Sequence, residues 1–345
     1  MKIISLILLS LVYLYSQEFK KVYIIASYEE SHFCGQPQET GVLKGLVKSG
    51  FFENMNLVVK RFYMDTKRTN TTRELMQKVG LQALQEIAEY QPNVVITLDD
   101  NAFREVGMKL ISDDRISVIF SGLNGQLEDY NLIEKFSEGR QPVKNITGIY
   151  EKLYVYQSIR VMQNAVPSAR DKIFVGITDY SPTGNAITKQ LNLELSPYLK
   201  DIKWELVRVR DWDEYVNVIH DLNNRQEVGV IYPIALTLQT RESETNFTAP
   251  EIFAWTIEHS RLPDMALNYH FSKVGLFGGA AVNFEHMGFQ AGKMAGKVLS
   301  GKSVSNLPIE DAQEYSIVFN IKRASQLGIE IPGPLLMAAD ILFKE

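Results

Sequence analysis

One cysteine, Cys34, stands in 345 residues. It excludes an internal disulfide, CxxC redox chemistry and cysteine zinc sites. Basic residues do not outnumber acidic ones: 36 lysines and arginines face 41 aspartates and glutamates, a formal net charge of -5. No broad positive field is therefore present to hold nucleic acid or an anionic membrane surface. No apolar run reaches the about 18 residues of a membrane-spanning helix. The five histidines, His32, His220, His259, His270 and His286, show neither HExxH nor any paired ligand spacing. There is no G-x-S-x-G, and nothing marks a base beside Cys34. No catalytic constellation, metal site or cofactor is expected, and the chain is read as a non-enzyme.

What is present is an ordinary globular composition, 45% hydrophobic and 22% charged, at a length that suggests two domains. The first segment has a character of its own. Met1-Lys2 precedes an almost unbroken apolar run, Ile3 to Tyr15, followed by Ser16 and a polar stretch. A basic start, a short apolar run and a small residue before polar sequence describe a secretory signal peptide, here residues 1–16. The exported chain is expected to be soluble and periplasmic. It is not expected to be lipid-anchored, because Cys34 lies too far downstream of the run.

The remainder alternates short apolar runs with amphipathic ones. Strands are expected at Val22–Ala26, Asn56–Tyr63, Val94–Thr97 and Ser117–Phe120, with helices at Glu39–Ser49, Thr71–Tyr90 and Asn101–Ile111. The pattern then restarts. Strands at Lys172–Ile177, Lys203–Val209, Val228–Tyr232 and Met265–Leu267 alternate with helices at Leu153–Asn164, Gly184–Leu195, Tyr215–Asn223 and Pro250–His259. Continuous apolar strands of four or five residues belong to parallel sheets covered on both faces. The fold class is α/β, with two Rossmann-like parallel-sheet lobes; one large sheet is the alternative.

Ligands of open parallel sheets sit beyond the carboxyl ends of the strands. The residues just after each strand therefore matter most. They are Ser27 and Tyr28 after the first strand, Asp99, Asp100 and Asn101 after the third, and Ser121, Gly122 and Asn124 after the fourth. In the second lobe they are Tyr180 and Tyr232. Acids, amides, hydroxyls and aromatic rings suit a small polar solute, with Asp99 or Asp100 positioned to pair with an ammonium group. The competing structural roles are a helix cap for Asp100 or Asn101 and a core position for Tyr232. Gly296–Ser303 fits the P-loop expression letter for letter, but a helix precedes it where the mechanism needs a strand, so phosphate binding is not expected. Gly288, Gly292 and Gly296, four residues apart, make one smooth helix face for close packing.

The tail carries a further pattern. Gly288-Phe-Gln-Ala-Gly-Lys-Met-Ala-Gly-Lys-Val-Leu-Ser-Gly-Lys, then Leu307-Pro-Ile, Ile317 to Pro332 and Leu335-Leu-Met-Ala-Ala-Asp340, resembles the ABC-transporter substrate-binding protein family, whose members include tryptophan- and tyrosine-type binding proteins. Tyr63-Met-Asp-Thr-Lys-Arg68, Asp99-Asp-Asn-Ala-Phe103 and Ile146-Thr-Gly148 agree, and the first two also resemble a branch used as extracytoplasmic sensors. The resemblance implies a type I periplasmic-binding fold. Lobe 1 would comprise residues 18–146 and 283–311, and lobe 2 residues 147–282 and 312–345. Asn283 would then stand at the hinge and face the cleft, where the family often has an acid. The implied function is capture of a small solute, an amino acid or aromatic compound, in the interlobe cleft by a monomer that serves a membrane ABC permease. The alternative is a sensory subunit signalling to a receptor kinase.

Overall fold

The computed structural model describes residues 19–234, 236–240 and 246–344. The segment expected to be a signal peptide, residues 1–16, lies outside the described residues. In chain order the main elements are β1 (Lys20–Ala26), α1 (Gly35–Lys48), β2 (Leu57–Tyr63), α2 (Arg73–Tyr90), β3 (Val94–Leu98), α3 (Asp99–Glu105), β4 (Ser117–Leu123) and β5 (Ile146–Tyr150). Then come α4 (Val155–Ala165), β6 (Ile173–Asp179), α5 (Pro182–Leu195), β7 (Trp204–Val209), α6 (Trp212–Leu222), β8 (Val228–Pro233) and α7 (Ala249–His259). The chain closes with β9 (Gly278–Val282), α8 (Phe284–Leu299), β10 (Glu310–Asp311), β11 (Tyr315–Asn320) and β12 (Ile341–Phe343).

These elements form two compact units. Unit 1 takes residues up to Leu123, then Leu127–Tyr150 and Phe284–Ala312; unit 2 takes Asn124–Gln126, Glu151–Asn283 and residues from Gln313 onward.

Unit 1 is built on a six-stranded sheet in the order β10-β5-β4-β3-β1-β2, and every neighbouring pair is parallel. Its central strands are the unbroken apolar runs of the sequence, and Val22–Ile25, Val94–Ile96 and Val118–Phe120 are fully buried. Residues buried on both faces must alternate between two helical layers, which is why these strands read as continuous rather than alternating hydrophobics. One layer is α1 against α8. Here the spaced glycines act as anticipated: a Cβ on Gly288 would lie 2.0 Å from the Gln38 carbonyl oxygen, and one on Gly292 2.1 Å from that of Val42. The other layer carries an aromatic core, with Phe103 at 5.1 Å from Phe120 and 4.9 Å from Tyr130, ring centre to ring centre.

Unit 2 has a parallel three-stranded sheet, β8-β6-β7, and a second of order β9-β11-β12, in which β9 and β11 run antiparallel. Met265–Leu267, expected as a full strand, makes only single bridges: the segment touches β8 at Asp264 and β9 at Met265 and Asn268. It joins the two sheets where a longer ladder was anticipated. Helices α5 and α6 start at cap residues. Ser181 accepts the Gly184 amide ahead of α5, and Asp211 accepts the Glu214 amide ahead of α6, each satisfying a donor with no partner in its helix. Asp264 and Arg323 form a buried ion pair at 2.6 Å. Arg323 also donates to the carbonyls of Ile257 and Ser260, so the tail is bolted into this unit.

One helix expectation needs correcting. Asn101–Ile111 is not a single helix: α3 ends at Glu105 and a 3-10 turn spans Gly107–Leu110. A side chain at Gly107 would meet the Phe103 ring at 2.8 Å, so glycine is required where the chain changes course.

Candidate functional site

Because all six strands of unit 1 are parallel, their carboxyl ends share one edge, and the strand-end residues of the sequence arrive there together. Ser27 is fully buried. Its hydroxyl donates to the Leu98 carbonyl at 2.7 Å and accepts the Ala102 amide at 2.8 Å, tying the end of β1 to the start of α3. Asp99 is buried and adopts a left-handed backbone, φ 67°. An aspartate pays for that conformation, and such residues cluster at functional sites. Its carboxylate accepts the Gln38 side-chain amide at 3.2 Å, and the oxygen of the same amide accepts the Ser121 hydroxyl at 3.0 Å. Burial, with Asp100 adjoining, pushes the Asp99 carboxyl up to about 7, against the pull of Lys67 and Gln38.

Asp100 accepts the Tyr130 hydroxyl at 2.7 Å. Asn101 donates to the Thr66 hydroxyl at 2.9 Å, which in turn donates to the Ser27 carbonyl at 2.8 Å. Neither Asp100 nor Asn101 caps the helix: both lie within α3, whose N-cap is Leu98, with no side-chain cap bond. Tyr28 is half-buried, with the Lys67 ammonium 4.4 Å from its ring centre. Gly122 has φ 81°, and a Cβ there would press within 2.9 Å of the Gln38 amide oxygen.

The second unit places its candidates differently. Asn124, although it follows β4, packs with unit 2 and donates to Glu151 at 3.2 Å. Tyr180 follows β6 and is 47% exposed. The Arg208 guanidinium stacks 3.9 Å from its ring and Arg210 lies at 5.3 Å. Tyr232 does not follow its strand but lies inside β8, which runs on to Pro233, and its side chain is fully enclosed. Asn283 is the last residue of unit 2 before α8 and donates to Ser316 at 3.1 Å.

Sequence reasoning missed Gln38, the fully buried side chain that reads both Asp99 and Ser121, and Arg208, which donates to the Asp179 carbonyl at 2.7 Å beneath Tyr180. Both sit inside regular elements, where one polar residue carries no positional signal. Lys67 and Thr66 lay in the quoted MDTKR segment and were legible as part of it. Among the described residues no three His, Cys, Asp or Glu side chains are grouped to hold a metal ion, and no helix is long and apolar enough to cross a membrane.

The family model for ABC transporter substrate binding protein matches residues 38–342. Similar solved structures include the ABC domain in complex with L-Trp from Streptococcus pneumonia, at 17% identity and TM-score 0.69, covering 94% of this chain and all of that one. The ligand-free, open structure of CD0873, a substrate-binding protein with adhesive properties from Clostridium difficile, matches at 17% and TM-score 0.68, again over 94% and 100%. A conserved domain protein from Vibrio cholerae matches at 20% and 0.68 over the same shares. At these identities the structures establish the fold, the type I α/β architecture anticipated from the sequence. No curated protein matches the chain.

Proposed function

Because the chain belongs to the ABC transporter substrate-binding protein family, we propose that it is an exported, periplasmic solute-binding protein that captures a small polar solute, an amino acid or aromatic compound, and delivers it to a membrane ABC importer. The observation that supports this most is the buried network Ser27–Leu98–Asp99–Gln38–Ser121 at the strand-end edge of unit 1. Its polar groups are held by one another before any solute arrives, so little ordering cost is left for binding. Asp100 supplies a carboxylate suited to an ammonium group, and Tyr28 supplies an aromatic face. No bond is made or broken. The solute favours one conformation of the chain, and that preference is what the importer reads.

The test is thermal unfolding of the purified chain against amino acids, nucleosides and small carboxylates. A true solute raises the midpoint by mass action, about 3 °C or more at saturating excess. Asp100→Asn keeps an acceptor for Tyr130 and removes the charge, so it should fold and lose the response. A full response in that variant moves the site elsewhere, and turnover of the solute by the purified chain replaces binding with catalysis.

A further inference from the structure

At the carboxyl end of the parallel sheet of unit 2, two arginines gather on one tyrosine ring. Arg208 pairs with Thr178 across β7 and β6, and Tyr180 follows Asp179, the last residue of β6. The Arg208 guanidinium carbon lies 3.9 Å from the centre of the Tyr180 ring, and that of Arg210 lies 5.3 Å from it. The nearby acids are engaged elsewhere. The Asp179 carboxylate accepts the Ser181 amide at 2.9 Å and the Thr237 amide at 2.7 Å. Asp211 accepts the Glu214 amide at 2.8 Å. Glu214 takes the Arg210 amide at 2.8 Å and the Arg210 guanidinium at 3.4 Å. Arg208 is left with neutral acceptors only: its Nη2 donates to the Asp179 carbonyl at 2.7 Å and to the Asn185 side-chain oxygen. Its Nε is buried with no hydrogen-bond partner, and among the described residues no carboxylate pairs with it. A half-buried guanidinium with a full charge and no counter-charge is unfavourable unless something else meets it.

The chemistry of this pair selects the guest. A guanidinium only donates and stays charged, so it takes an anion and repels a cation. Its planar fork matches a carboxylate, and stacking on Tyr180 fixes that plane before any guest arrives. Tyr180 is 47% exposed, so the pair opens to solvent at the edge where ligands of parallel sheets sit. The first turn of α5, which begins beside the ring, has no acidic side chain and adds its positive helix end. A neutral sugar or nucleoside would leave the Arg208 charge unmatched. We infer that Arg208 is the specificity-determining residue of unit 2 that takes the acid group of the solute. The solute class is then organic acids with a free carboxylate, amino acids among them. This rests on the solute-binding reading and narrows it from small polar solutes in general.

The test is thermal unfolding of the full chain against the common L-amino acids, their carboxamides, nucleosides and sodium phosphate, followed by calorimetric titration of each responding compound. The expected responses come from compounds with a free carboxylate, each binding about tenfold or more tighter than its carboxamide. In Arg208→Gln that gap should close to about threefold or less, a change that loosened folding alone would not produce. Arg208→Lys, which keeps the charge but not the fork, should retain part of it. Should either variant fail to fold, the comparison of acid with carboxamide in the unaltered chain still decides. A nucleoside or carboxamide that binds as tightly as the acids overturns the inference and leaves the solute-binding reading standing. An undiminished gap in Arg208→Gln does the same, by placing the acid group elsewhere. A response to phosphate with none to any organic acid overturns it too, because the arginine then takes a free anion. Silence from every compound sinks the solute-binding reading itself, and the inference with it.

Discussion

At the scale of single residues, Asp99 concentrates the cost of the strand-end site. Its carboxyl is raised from an ordinary 3.8 to about 7, so between those values the folded chain binds a proton that the unfolded chain has released. Stability then falls as pH rises through that window, by on the order of 4 kcal/mol from this group when fully titrated. Asp99→Asn keeps an acceptor for Gln38, tolerates the left-handed backbone at least as well, and carries no charge. It is expected to raise stability at about pH 8 and to flatten the loss between about pH 4 and pH 8, as read by urea unfolding at several pH values; an unchanged slope would mean that the carboxyl is not desolvated as the fold implies. Arg323 tests the opposite situation, a buried charge fully satisfied. Arg323→Met strands Asp264 and three backbone carbonyls, for a loss of about 3–5 kcal/mol in urea unfolding followed by tryptophan emission, and Arg323→Lys should recover less than half of it, because an ammonium cannot reproduce the two-nitrogen grip on Asp264. These residues differ in how far the sequence announced them. Ser27 and Asp99 were legible because a strand end is a place, and parallel strands bring such places to one edge; Ser121 and Gly122, expected just after the fourth strand, lie inside β4, which runs on to Leu123. Gln38 and Arg323 lie within helices, where nothing in a single sequence separates a network residue from a solvated one. Tyr232 was misplaced by one residue of strand length, enough to turn a strand-end ring into a buried one.

At the scale of elements, α1 and α8 show what glycine spacing can and cannot say. Gly288, Gly292 and Gly296 declared a smooth face, but not its partner, because Gly41 and Gly45 lie about 240 residues earlier and a single chain carries no record of which faces meet. A Cβ on Gly41 would fall 1.9 Å from the Glu285 carbonyl oxygen and one on Gly45 2.3 Å from that of Phe289, so both helices must yield before either can be altered. Gly292→Ala is expected to cost about 3 kcal/mol or more by forcing the helices apart. Gly35→Ala, in the first turn of α1 with nothing within 4 Å of its Cβ position, should be neutral or stabilise by up to about 1 kcal/mol through the unfolded state. Urea midpoints of the two variants decide it: equal effects would mean that the helix contact is not as tight as the spacing demands. The antiparallel pairing of β9 with β11 was not legible at all. Gly278 and Gly279, with φ 134° and 127°, open a strand of small residues that shows no strand-like hydrophobic pattern, and its pairing partner arrives only after the whole of α8.

At the scale of the molecule, the chain visits each unit three times, so neither unit is a continuous piece and truncation at any single point damages both. The register of β9 and β11 nevertheless supplies a way to isolate unit 2. Val282 pairs with Tyr315, while the Val282 amide donates to the Leu267 carbonyl on the other side of β9. Hydrogen-bonding direction alternates along an antiparallel strand, so the next pair, Asn283 with Glu314, turns its backbone groups toward each other. A pair so arranged is the closing pair of a two-residue hairpin, and Asn-Gly is the favoured sequence for its type I′ turn. Replacing Phe284 to Gln313 by Asn-Gly in a chain that begins at Glu151 therefore keeps both sheets of unit 2 and the Asp264–Arg323 pair, and of unit 2 it removes only Asn124–Gln126 and Gln313. This fragment should be soluble, unfold cooperatively and show the native tryptophan emission. The same fragment ended at Asn283 loses β11, β12 and Arg323, and should be unfolded or molten, with strong dye binding and no near-ultraviolet signal. If the hairpin-closed fragment is molten too, unit 2 does not hold its fold by its own core, and the tail's ion pair is not sufficient to complete it.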